Sequence, residues 1–124
     1  MCIRDSNKID WPACIPSSIA IGGSEQIGQE FYVSLSSNYD KKLIDFWTPI
    51  SSEVIFPGGL KGNAFGTSVS VQIAAAKWLA ISSAKINLTQ SQLLDLIKNT
   101  ATPISNPTIK INGMLLNFDK AINS

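Results

Sequence analysis

The 124-residue sequence has no histidine, only two cysteines and few charges, since Lys, Arg, Asp and Glu make up 15% of it. Without histidine, the chain by itself holds no Ser–His or Cys–His pair for nucleophilic catalysis. The net charge is +1 and basic residues do not cluster, which excludes the electrostatic footprint of a nucleic-acid partner. No apolar run reaches the ~18 residues of a membrane span, because Lys77 interrupts the best candidate. The sequence therefore predicts no nucleic-acid partner and no membrane span.

The first residues, "MCIRDS", are too short and too polar for a signal peptide. We interpret residues 1–6 as a non-native, adapter-derived segment, as expected of a metagenomic reading frame, and assign one domain to residues 7–124. With Cys2 set aside, Cys14 has no partner for a disulfide and no imidazole to activate it, which favours a buried, inert thiol. The carboxylates are scattered, so the sequence predicts no metal site.

Hydrophobic residues make up 44% of the chain, which is typical of a packed domain. A short apolar run closed by Gly22 and Gly23 predicts a strand and a turn. The segments "FYVSLSS", "KLIDFW" and "EVIF" predict three more strands, and residues 57–66 predict a glycine-rich loop. A helix is expected from Thr67 to about Ser82. Its only charge is Lys77, so we expect it to be buried on nearly all sides.

The second half carries clearer end signals for its helices. Thr89 and Gln92 have the spacing of a capping box, with a helix to follow. Asn112-Gly113 predicts a tight turn within "TIKINGMLLN", and Asn117 is placed to cap a last short helix. Strands, loop, buried helix, surface helix and a terminal β-α element together predict an α/β layering.

The segment Gly66-Thr67-Ser68 at the start of the central helix has several interpretations. A phosphate-binding loop would place lysine directly before the hydroxyl residue, and this chain does not. A nucleophilic serine needs a base, and Lys77 lies nine residues after Ser68, on the opposite side of a helix. From the residues alone, Thr67 and Ser68 are therefore more simply explained as first-turn residues, although a nucleophile stays open.

Four segments resemble those of one known family, in the family's order along the chain. "GTSVSVQIAAA" resembles the active-serine segment of subtilisin-like serine proteases (peptidase S8), and "DWPACIPSSIAIGG", "FYVSLSSNYDKKLIDFWTPI" and "GMLLNFDKAI" resemble its other segments. The resemblance implies the C-terminal part of a three-layer α/β fold, with a mostly parallel sheet and a buried central helix. Residues 7–124 would then be a partial peptidase domain that lacks its own N-terminal part.

The resemblance also implies an activity for the full-length parent. Ser68 would be the nucleophile of an Asp-His-Ser triad and would hydrolyse peptide bonds through an acyl-enzyme, with Gly66 and Thr67 supporting the oxyanion site. The fragment alone would be inactive, because the Asp, the His and the oxyanion Asn lie upstream. The implied substrate is a polypeptide, contacted by Asp10, Trp11, Pro12 and Phe65.

Two further expectations follow from the resemblance. The parent would be secreted or attached to the cell envelope, and would need no cofactor beyond a structural calcium ion. The alternative is a catalytically inactive domain of the same fold that serves as an interaction module or scaffold. It is motivated by Gln72, where the family usually has proline, and by Phe65, where it often has asparagine.

Overall fold

The computed structural model describes residues 17–37 and 44–124, which contain seven strands and three helices. In chain order these are β1 (Ile21–Ile27), β2 (Glu30–Val33), β3 (Phe46–Pro49), β4 (Ser51–Ile55), β5 (Lys61–Phe65), α1 (Thr67–Ala84), α2 (Gln90–Thr100), β6 (Thr102–Asn106), β7 (Ile111–Leu115) and α3 (Phe118–Ile122).

Five of the described strands close into a barrel in the order β1-β2-β6-β7-β3. The β1–β2 and β6–β7 pairs are antiparallel hairpins, whereas β1 pairs with β3, β2 with β6 and β3 with β7 in parallel. The resemblance predicted a three-layer fold with a mostly parallel sheet, and this prediction was wrong. The structure has a closed, mixed barrel instead. The two hairpins bring antiparallel pairs into the sheet because their strands are joined by short turns.

Trp47 on β3 lies between two glycines of the neighbouring strands. It is 1% exposed, and a Cβ atom added to Gly22 on β1 or to Gly113 on β7 would clash with the indole ring. Gly22 and Gly113 both lie inside strands. The predictions of a turn at residues 22–23 and at Asn112-Gly113 were therefore wrong. Each position needs the smallest residue because a large aromatic ring occupies the space beside the backbone.

Two hydrophobic clusters hold the elements together. Trp47 joins Val33, Ile104 and Ile111 in a cluster drawn from β2, β3, β6 and β7. A second cluster packs the helices on β3 and on the chain after β7, and its buried members are Phe46, Ile81, Leu93, Ile97, Leu116 and Ala121. Each large apolar side chain buried in this way contributes roughly 1.5–3 kcal/mol.

Outside the barrel, β4 and β5 form a two-stranded antiparallel sheet with a register from Ser51↔Phe65 to Ile55↔Lys61. Residues 57–66 were predicted to be a loop, and this was wrong for β5. Only the turn between the strands is glycine-rich, and Gly58 and Gly59 both have positive φ there. Pairing with β4 makes a strand of a segment whose own sequence has little strand character.

The caps of the two later helices are confirmed. Thr89 accepts a hydrogen bond from the Gln92 N–H at 3.2 Å, and the Gln92 side chain accepts one from the Thr89 N–H at 2.9 Å. Asn117 accepts from the Lys120 N–H at 3.0 Å and so caps α3. The buried central helix is corrected, since the buried residues of α1 are Ser70, Ala74 and Ile81 and one side of the helix is exposed.

Candidate functional site

The predicted site residues around Ser68 lie where β5 ends and α1 begins. Gly66 is the N-cap residue, and its φ of 133° is a conformation that a side chain would strain. Phe65 before it is 53% exposed, Thr67 is half-buried and Ser68 is exposed on the first turn. Thr67 and Ser68 are the first two residues of α1, and the N-cap residue Gly66 has no side chain with which to cap the helix.

Buried hydroxyl groups fix the start of α1 against the barrel. Thr48 Oγ1 donates a hydrogen bond to the Ser70 carbonyl at 2.7 Å, and Ser70 Oγ donates to the Pro49 carbonyl at 3.1 Å. The Gly66 N–H donates to the Ile50 carbonyl at 2.9 Å. Thr48 and Ser70 are fully buried, so the bond between them is shielded from water, and the three bonds together hold the first turn beside β3.

The lysines of this region are not placed to act as a base for Ser68. Lys61 lies on β5 and pairs with Glu53 across the hairpin at 3.8 Å. Lys77 is half-buried further along α1, where burial lowers the pKa of its ammonium group and the nearby Asp119 carboxylate partly opposes that effect. With no histidine in the sequence, the expectation that this chain alone is inactive is compatible with the structure.

The remaining predictions from the sequence concern substrate contacts, metal ions and membrane spans. Asp10, Trp11 and Pro12 lie outside the described residues. Within residues 17–37 and 44–124, no three His, Cys, Asp or Glu side chains gather in a position to hold a metal ion. In the same ranges, no helix has the length and apolar character to cross a membrane. A calcium ion held by loop carbonyls stays a prediction.

The sequence interpretation missed an exposed apolar surface on α1. We call it the outer face of α1 and define it by Val71, Ala75, Ala76, Leu79 and Ala80, all of which are exposed. Between residues 71 and 84, every exposed side chain is uncharged, the polar ones being Gln72 and Ser83. The available signal was a helix that is apolar on nearly all sides, which predicts burial but does not indicate what covers the helix.

A groove of about 170 Å³ adjoins the outer face of α1. It runs between the helix and the start of β1, and its walls are apolar, formed by Ile19, Ile21, Val71, Ala74, Ala75 and Trp78. Ile19 and Val71 are 40% and 47% exposed. A larger depression of about 480 Å³ lies on the β6–β7 hairpin, where Ser105 and Asn112 add polar groups to its lining.

The far end of the β4–β5 sheet presents a second exposed apolar surface. We call it the hairpin tip and define it by Ile55, Phe56 and Leu60, which are 71%, 48% and 72% exposed. The Phe56 N–H donates to the Leu60 carbonyl at 2.8 Å, so the turn is ordered. Three large apolar side chains are thus exposed to solvent at this end of the hairpin.

No family model and no curated protein matches the sequence. Solved structures do match its fold. A structure of the subtilase cytotoxin SubAB assembly matches with a TM-score of 0.74 and 21% identity, over 98% of this chain and 46% of that chain. The A subunit of the AB5 toxin from E. coli matches with a TM-score of 0.77 and 21% identity, over 98% of this chain and 48% of that chain. This chain thus spans just under half the length of either structure.

These findings correct the identification drawn from the sequence. At 21% identity the likeness establishes a fold alone, and the matched chains are components of toxins. The described strands form a closed mixed barrel. The identification of the chain as a fragment of a subtilisin-like catalytic domain is therefore not upheld. The serine endopeptidase function that rested on this identification is not upheld either. The alternative of an inactive scaffold of that family is not clearly supported either.

Proposed function

We propose that this chain is a protein-binding domain of a toxin-like subunit, which works as one component of a multi-subunit assembly. The observation that carries the proposal is the fold match, in which nearly the whole chain superimposes on two toxin components. One of those structures is described as an assembly and the other as the A subunit of an AB5 toxin, so both belong to multi-subunit proteins.

The hairpin tip supplies a surface suited to such an assembly. It projects from a sheet of only two strands, which is marginally stable in water without further packing. Burying Ile55 and Leu60 against another subunit would remove two exposed apolar side chains from water and stabilise the hairpin at the same time. The neighbouring Glu53–Lys61 pair would then form a polar rim around an apolar centre.

Native mass spectrometry of the complete gene product tests the proposal. The protein is produced alone and together with each protein encoded beside it, and the expected result is a hetero-oligomer of defined mass and stoichiometry. Ile55→Lys with Leu60→Lys is expected to weaken that complex at least about tenfold, because two charges would be buried without partners.

The matched control is Ile27→Lys, since Ile27 is 66% exposed and belongs to the β1–β2 hairpin, outside the hairpin tip. This variant should assemble like the parent. A complete gene product that stays monomeric with every neighbouring protein would overturn the proposal.

A further inference from the structure

The two longest described helices of this chain expose different kinds of side chain to solvent. The exposed residues of α2 are all polar, namely Gln90, Ser91, Gln92, Asp95, Lys98 and Asn99. This is the pattern of a helix whose outward side faces water. The exposed residues of α1 between 71 and 84 include no charge, and Leu79 among them is 68% exposed. The exposed side of α2 is thus typical of a helix at a solvated surface, whereas the exposed side of α1 is typical of a helix packed inside a protein.

The ends of α1 support the same distinction. No acidic residue lies in its first turn and no basic residue in its last, so the helix makes no use of its dipole at a solvated surface. The one charged residue, Lys77, is half-buried on the side that approaches α3, away from the outer face. Apart from the polar Gln72 and Ser83, which are exposed on the same side of the helix, the outer face of α1 therefore offers uncharged, apolar contact to whatever covers it.

The geometry points to one occupant: a further polypeptide segment of the same gene product, which packs its own uncharged, apolar side chains on the outer face of α1 and fills the adjoining groove. The length comparison supports this choice. The matched regions cover 98% of this chain but only 46% and 48% of the two toxin chains. Each toxin chain therefore has slightly more polypeptide outside the matched region than within it.

The chemistry of the surface favours a segment of the same chain over a separate subunit. Interfaces between separate subunits usually keep a polar rim, which limits their exposure before assembly. Among the described residues of α1 from 71 to 84, no exposed side chain is charged, and small residues at Ala75, Ala76 and Ala80 permit close approach of another backbone. Such a surface resembles the interior of a domain, which becomes covered as the chain folds.

Thiol labelling of the complete gene product tests this inference. Leu79→Cys and Ile27→Cys are made separately in a background with Cys2→Ser and Cys14→Ser, since Leu79 and Ile27 are 68% and 66% exposed in this chain. In the complete protein, Cys at position 79 should react with a maleimide at least about tenfold more slowly than Cys at position 27, because a covered thiol reacts only when the structure opens.

The same two variants in the 124-residue chain give the reference, where position 79 should react about as quickly as position 27. Equal rates at both positions in the complete protein would overturn the inference, as would a reading frame that encodes no further segment. Protection of position 79 in the 124-residue chain, together with a dimeric mass, would also overturn it in favour of a second copy.

This inference does not depend on the multi-subunit assembly proposed above. Protection at position 79 in a complete protein that forms no hetero-oligomer would leave the covered helix in place and remove the assembly. A hetero-oligomer with an unprotected position 79 would do the reverse.

Discussion

Single residues decide how closely the strands of the barrel approach one another. Trp47 on β3 is paired in register with Gly22 on β1, and its indole ring also lies against Gly113 on β7. Ile50 has a similar relation with Gly23, where an added Cβ would lie 2.6 Å from Ile50 Cδ1. The glycines thus leave the space that each large side chain fills. A local sequence pattern does not show which glycine lies beside which large side chain.

Substitution of Gly113 by alanine should destabilise the protein by about 1–3 kcal/mol, since the new methyl group overpacks the site beside Trp47. Thermal unfolding followed by circular dichroism measures the change. Asn112→Ala on the same strand is the control, because Asn112 is exposed and should cost much less. Equal melting temperatures for Gly113→Ala and the parent would contradict the close packing of β7 on Trp47.

At the scale of elements, the helix ends are set by local hydrogen bonds and the strand ends by pairing. The capping box at Thr89 and the Asn117 cap use residues within three positions of each other, so both were predicted correctly. β5 depends on β4 for its hydrogen bonds, and its segment was first interpreted as a loop. β6 pairs with β7 and β2, and the sequence analysis predicted no strand there. Local chemistry thus predicts helix starts better than strands in this chain.

Thr89→Ala should lower the free energy of unfolding by about 1 kcal/mol, because the Gln92 N–H loses its acceptor at the start of α2. Urea unfolding at neutral pH measures the difference. Thr108→Ala serves as the control, since Thr108 is exposed and its known hydrogen bond is made by its backbone N–H to Asn106 Oδ1. A loss as large in Thr108→Ala would show that the effect is not due to the cap.

At the scale of the whole molecule, the described elements differ in how much of the structure supports them. The barrel strands pair on both sides, and the two clusters bury their side chains. The β4–β5 sheet has pairing on one side of each strand, and it joins the rest at its base through the Gly66 N–H to Ile50 carbonyl bond.

Hydrogen exchange should therefore be faster in β4 and β5 than in β1 and β3. Opening the hairpin breaks only its own ladder, whereas exposing the β1–β3 amides requires the barrel to open. Exchange followed by mass spectrometry on peptides covering residues 51–65 and 20–27 gives the comparison. Equal protection in the two peptides would show instead that the hairpin and barrel open as one unit.

The sequence by itself determined the features that depend on neighbours along the chain. The start of α1 at Thr67, the capping box at Thr89 and the cap at Asn117 all follow from local backbone preferences and short-range hydrogen bonds. Thr67 and Ser68 lie in the first turn of α1, but the assignment of a catalytic site to them was drawn from a resemblance that the fold and the comparisons did not uphold.

Only the tertiary structure decided how the strands close and which surfaces stay exposed. Gly22 and Gly113 signal a turn in a local pattern, but they leave room for the Trp47 ring once β1, β3 and β7 are adjacent. An apolar helix signals burial, yet α1 buries only the side that faces β1, β3 and α3. Strand partners and the two sides of a helix are set by contacts between distant residues, and the free energy of those contacts is not present in any short segment.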